Sequence, residues 1–337
     1  MRLLLAVCLL LGRAWAAEGA AVSSPYAIDI PKWFHESFLD IPEEQRDAAR
    51  EGKRVMLYFG QDGCPYCKAL MKVNFAQADI VATTRRHFVP IALNIWGDRE
   101  VTWTDGRKLA EKELARVLRV QYTPTLLFLD EGGRVALRLN GYLAPDKFRL
   151  ALDYVSRRKE KEQTFADFQA GRAPAASGGT LATEPFFERG AVDIPRLARE
   201  SRKPVLVVFE RVPCGDCDEL HREGFKRPEV KKLFERFKVL QVDALGASPV
   251  VAEDGRREAA RDWAGRLQVN NTPTLVFFDA AAKEVFRVEG YVRPFHLASA
   301  LEYVASGAYR NEPSFQRFVQ QRADAQRAAG KAVDIWK

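Results

Sequence analysis

The sequence predicts an α/β protein made of two tandem units, each a central mixed sheet flanked by helices. Three observations carry that expectation. The chain has 337 residues, more than one hydrophobic core usually organises. Its composition, 47% hydrophobic and 29% charged, is that of ordinary globular protein. It also repeats itself. Arg54–Phe59 aligns with Pro204–Phe209 at an offset of 150 residues, and Cys64/Cys67 align with Cys214/Cys217 at the same offset. Beyond the cysteines the offset is 149, matching Tyr122–Leu126 to Asn271–Leu275 and Gly141-Tyr142 to Gly290-Tyr291.

At the N-terminus, Met1-Arg2 leads into the apolar run Leu3–Leu11 and then Ala14-Trp15-Ala16. This is the pattern of a secretory signal, residues 1–16, cleaved before Ala17. A helix needs about 20 apolar residues to span a bilayer, so no membrane span is expected once the signal is removed. Residues 28–169 are expected to form the first domain, 170–183 a Gly/Ala/Ser/Pro-rich linker, 184–320 the second domain and 321–337 a tail.

Each unit has the same expected order. A helix (Pro42–Glu51 or Pro195–Arg202) precedes an apolar strand, Val55–Phe59 or Val205–Phe209. The cysteines open the next helix. A further helix leads to a strand ending near Asn94 or Asp243. A charged helical stretch, Leu109–Leu118, reaches Thr123-Pro124-Thr125 and a strand over Leu126–Leu129. Asp130–Gly133 has turn composition, so Val135–Leu139 pairs as a hairpin, and a helix from Pro145 to Val155 closes the unit. The formal net charge of +7 is spread thinly among acids. That describes solvated helix faces, and no nucleic-acid partner is expected.

Cys8 lies in the signal, which leaves Cys64, Cys67, Cys214 and Cys217. Four cysteines are too few for a disulfide framework and read as sites. A first cysteine just ahead of a helix faces unpaired N–H groups and the positive dipole end, which favours its thiolate. A second, one turn on, attacks the mixed disulfide and releases the product. Cys64 is the expected nucleophile and Cys67 the resolving thiol, with Pro65 suited to the first helical turn. In the second pair, Asp216 and Asp218 oppose thiolate formation. That pair reads as redox-competent, with a structural disulfide as the alternative. His221 reads first as a surface helix residue, with a compensating charge or general base as the alternative.

The strand ahead of each pair, with a Thr-Pro about 57 residues after it, resembles the thioredoxin superfamily. The resemblance implies two tandem thioredoxin folds, with Thr123, Pro124, Thr272 and Pro273 forming substrate-binding loops whose prolines follow cis bonds. Gly97–Val101, Asp105–Lys108 and Glu113–Ala115 look like the insertion of the SoxW-like periplasmic thioredoxins. That branch implies a periplasmic location, a membrane electron carrier as donor, and protein thiols or small sulfur compounds as partners. No cofactor beyond the redox-active disulfides is implied. The chain also departs from the family. A buried acid usual six residues before the first cysteine is replaced by Tyr58 and Val208, and the preceding aromatic residue by Gly63 and Pro213.

The competing class is a binding or chaperone protein whose cysteine pairs hold a metal, although structural zinc wants four ligands. His35, His87 and His296 show no metal-ligand spacing. Trp33, Phe34 and Phe38 read as core. Trp96 and Trp103 flank the insertion, where exposure near the site would let them touch a partner.

Overall fold

The computed structural model describes residues 28–172 and 179–333; the expected signal and part of the expected linker lie outside them. In the first unit Asp40 caps α1 (Ile41–Arg50) by accepting from the Glu43 N–H at 2.9 Å, and a proline occupies the first turn. Then come β1 (Arg54–Gly60), α2 (Pro65–Ala69) continued by a π-helical turn over Leu70–Asn74, α3 (Ala78–His87) and β2 (Phe88–Asn94). A small hairpin, β3 (Glu100–Thr102) with β4 (Lys108–Ala110), leads to α4 (Glu111–Val117). The unit ends with β5 (Thr125–Leu129), β6 (Val135–Asn140), α5 (Pro145–Ser156) and α6 (Phe165–Ala170).

The second unit repeats this order. It runs β7 (Val192–Asp193), α7 (Ile194–Ser201), β8 (Val205–Glu210), α8 (Gly215–Glu219), α9 (Pro228–Phe234), β9 (Lys238–Asp243), β10 (Pro249–Val251), β11 (Arg257–Ala259) and α10 (Ala260–Arg266). It finishes with β12 (Thr274–Phe278), β13 (Glu284–Glu289), α11 (Pro294–Ala305) and α12 (Phe315–Ala328). The main sheets are ordered β2-β1-β5-β6 and β9-β8-β12-β13. The first two strands of each are parallel and the others antiparallel, so both sheets are mixed.

Both faces of each sheet are covered, which is why β1 and β8 are buried along their whole length. Side chains alternate with period two. Met56, Tyr58 and Phe128 point into one core with Phe148 and Leu152 of α5. Val55, Leu57 and Phe59 point into the other, with Ile41 and Ala48 of α1. The expected elements appear in order, with three differences. The segment before α4 begins as the β3–β4 hairpin. Helix α12 runs past residue 320, so the expected start of the tail falls inside it. Phe38, read as core, is fully exposed, whereas Phe34 is buried and Trp33 half-buried.

The repeats differ where β1 and β8 approach the cysteine helices. A Cβ on Gly60 would collide with the Tyr58 ring, whose hydroxyl is buried without a hydrogen-bond partner. In the second unit these two positions are Val208 and Glu210: a short side chain leaves room for a longer one two residues along the same face. Gly60→Ala is therefore expected to destabilise the first domain by about 1–3 kcal/mol through overpacking. Urea unfolding reads this directly, and an unchanged midpoint would show that the ring moves aside freely.

Candidate functional site

Cys64 is the residue before α2, and its sulfur accepts the Cys67 backbone N–H at 3.0 Å. Cys214 does the same before α8, at 3.1 Å from the Cys217 N–H. Each pair is present as a disulfide with the Cα atoms 5.2 Å apart. A donor aimed at the first sulfur stabilises negative charge there, the physical basis of a reactive thiolate. The second cysteine of each pair, Cys67 or Cys217, is buried.

The Thr-Pro loops lie against these sulfurs. Cys64 Sγ is 3.2 Å from the Thr123 carbonyl oxygen and 3.3 Å from its hydroxyl. Cys214 Sγ is 3.5 Å from both corresponding atoms of Thr272. The bonds before Pro124 and Pro273 are cis, and so is the one before Pro213, next to Cys214, which the sequence reading did not anticipate. Gly141 and Gly290, at φ +85° and +81°, turn the chain after β6 and β13 in a conformation that favours glycine. Their N–H groups donate to the carbonyls of Pro124 and Pro273 at 2.8 and 2.7 Å, fixing each proline loop beside its cysteines.

The two domains dock through these same faces. Gln61, three residues before Cys64, donates to Gln316 of α12 at 2.7 Å and to the Thr123 hydroxyl at 3.1 Å. Tyr122 packs on Phe286 and Phe315 of the second domain. The Tyr66 hydroxyl accepts the Arg293 N–H at 3.0 Å, and His296 meets the Tyr66 ring edge-on at 5.3 Å. On the other side, Lys147 of α5 reaches Asp216 at 2.6 Å. Lys147 and His296 are equivalent in the repeat, as are Tyr66 and Asp216, so the docking is pseudo-twofold. Near the centre, Asn140 donates to its own counterpart, Glu289, at 3.1 Å. Burial raises the Glu289 carboxyl above its usual range, against the opposing pull of Arg287 and Asn140.

Cys64 is consequently only 4% exposed and faces a cavity of about 1040 Å³ between the domains. Tyr66, Trp96, Tyr142 and Tyr291 supply aromatic walls, and Gln316, Arg317 and Arg327 form part of a roof. The Trp96 indole N–H donates to Gln61 at 2.6 Å, and Arg317 lies 5.2 Å over its ring. Trp96 thus stands at the site as the sequence allowed, whereas Trp103 is buried in the core. Burial and the Arg293 charge depress His296 to about 4.

His221 is not on the surface. It is 7% exposed, and its two ring nitrogens lie 3.1 Å from Glu184 and 3.0 Å from Glu210. Lys226 also binds Glu184, and Gln241 donates to Glu210 at 2.7 Å. Burial works against the imidazolium, but the hydrogen bonds and charges of Glu210 and Glu184 outweigh it and hold the His221 pKa above its ordinary value. The sequence reading missed Glu184 and Glu210. The available signal was the repeat itself, which puts Met71 opposite His221 and Gly60 opposite Glu210.

A search of curated proteins finds none that matches. Among solved structures the chain is similar to a thioredoxin-fold protein from Helicobacter pylori, at 24% identity and TM-score 0.34 over 41% of this chain and 86% of that one. It is similar to a thioredoxin from Thermus thermophilus at 27% identity and TM-score 0.28, over 34% and 83% of the two chains. It is also similar to the C-terminal domain of DsbD from Neisseria meningitidis, at 17% identity and TM-score 0.26 over 32% and 88%. The Thioredoxin-like domain family matches residues 41–156 and again 194–305, and the chain belongs to that family as a tandem pair of its domains.

Proposed function

We propose that this protein is an exported thiol:disulfide oxidoreductase of the periplasm, acting in the reducing direction on protein disulfides or small sulfur compounds. The observation that carries the reading is the repeated placement of a first cysteine sulfur between a helix-start N–H and the threonine carbonyl of a cis-proline loop. In the reducing direction the first cysteine, as thiolate, bonds to one sulfur of the client disulfide. The client S–S bond breaks and its other sulfur leaves as thiolate. The second cysteine then attacks the first, forming the enzyme disulfide and releasing the remaining client thiolate, so two electrons pass to the client. Cys64, Cys67, Cys214 and Cys217 do the chemistry, with Thr123, Pro124, Thr272 and Pro273 holding the client.

The signal pattern of residues 1–16 supports export, and the insertion before α4 supports the SoxW-like branch, with reducing equivalents drawn from a membrane electron carrier. No helix among the described residues is long and apolar enough to cross a membrane. The cavity before Cys64 suits a small sulfur compound or an extended chain segment, and a folded client requires the domains to part.

The test is the reduction potential of each pair, in Cys214→Ser/Cys217→Ser and Cys64→Ser/Cys67→Ser chains equilibrated against glutathione. We expect both pairs to equilibrate at distinct potentials between about −270 and −120 mV. If neither exchanges, the oxidoreductase reading fails.

A further inference from the structure

The pseudo-twofold docking presents a different side chain to each site. His296, offered to the first, is half-buried, neutral at ordinary pH and packed on an aromatic ring. Lys147, offered to the second, is a cation placed among active-site atoms. Its Nζ is 2.6 Å from the Asp216 carboxylate, between the two cysteines, and 3.1 Å from Asn271 Oδ1. It is also 3.4 Å from the Thr272 carbonyl oxygen, which itself stands 3.5 Å from Cys214 Sγ. The cation is thus linked to the Cys214 sulfur through one carbonyl oxygen, and it is in direct contact with Asp216, whose charge would otherwise oppose a thiolate.

We propose that Lys147 of the first domain is a positioning residue for the second domain's chemistry: it neutralises Asp216 and so favours the Cys214 thiolate. The second site is electrostatically complete only when the domains are docked. The inference rests on the reading of Cys214–Cys217 as an exchanging pair. Opposite charge close to an ionising group favours its charged form, and like charge disfavours it. The second domain's own charges near this pair are Asp216, Asp218, Arg211, which attracts Asp216, and His221 a turn further along with its two glutamates. Asp216 is met by Lys147 from across the interface. Stabilising the thiolate stabilises the reduced pair, so Lys147 also makes this pair the more oxidising.

The experiment uses the full chain carrying Cys64→Ser/Cys67→Ser, so that only the second pair reports. The pH dependence of iodoacetamide alkylation at Cys214 is followed by mass spectrometry of its peptide, and the potential is read against glutathione. Lys147→Met is expected to cut the thiolate fraction about tenfold at fixed pH. It should also shift the exchange equilibrium by up to the same factor, about 30 mV toward the reducing side. Lys147→Arg should restore both, and so should adding Asp216→Asn to Lys147→Met, because no charge then remains to be neutralised. A Lys147→Met chain that titrates like its parent overturns the proposal, as does an arginine that fails to rescue. If the parent's second pair does not exchange with glutathione, the oxidoreductase reading of that domain falls instead. The two failures are distinguishable because alkylation reports the thiolate without a client.

Discussion

Replacing Cys64 with serine is expected to stop disulfide reduction by the first domain, a loss on the order of a thousandfold or more, as removal of a nucleophile produces elsewhere. Serine is nearly the same size and Cys64 sits at a helix start whose N–H it can still bind, so the fold should persist. The assay is reduction of a fluorescent disulfide in a chain whose second pair is already Cys214→Ser/Cys217→Ser. Cys67→Ser has a different expected outcome. The first attack survives, release does not, and a covalent mixed disulfide with the client should accumulate and be visible by mass. Retained turnover in the Cys64→Ser chain would show that the attacking sulfur has been misassigned.

The second large effect is structural. His221→Leu leaves Glu184 and Glu210 buried without the imidazole that joined them, with Lys226 and Gln241 as their remaining side-chain partners among the described residues. Breaking a buried ionic group by removing one partner costs about 3–5 kcal/mol, and we expect a loss in that range for the second domain. The pH dependence follows from the direction of the shift. The folded-state pKa of His221 lies above its ordinary value, near 6.5 in an unfolded chain. Its contribution is therefore complete below about 6.5 and is lost as pH rises through the folded value. Wild-type protein should lose second-domain stability on going alkaline, and His221→Leu should flatten that decline. Hydrogen exchange at the β8 and β9 amides across this pH range measures it. A parallel decline in both proteins would place the alkaline sensitivity elsewhere.

The parts legible in the sequence were those that repeat or follow a local rule. The cysteine pairs, the Thr-Pro loops and the strands before them stood out because each occurs twice at nearly one offset. Strands such as Val205–Phe209 were legible because burial on both faces leaves an unbroken apolar run. The β3–β4 hairpin was not legible, since three-residue strands with one large apolar residue each, Val101 and Leu109, are too short to show a period. Phe38 shows the opposite failure: a helix-like aromatic spacing suggested core where the chain turns outward. The docking of the domains was invisible for a deeper reason. Lys147 and His296 look like any residues of an amphipathic helix, and only the closed arrangement gives them neighbours 69 and 230 residues away in sequence. Glu184, Glu210 and His221 likewise come from three separated segments that the fold brings together.

The pseudo-twofold contact has an evolutionary consequence. A homodimer of one repeat has a single gene for both arms, so any cation placed against one site is necessarily placed against the other. Its assembly also dilutes away at low concentration. With both copies in one chain, the facing surfaces meet at an effective concentration set by the intervening segment, and the two arms are free to mutate independently. Lys147 opposite Asp216, and His296 opposite Tyr66, are what that independence permits: two copies of one scaffold that meet each other's cysteine helices with a cation on one side and a neutral ring on the other.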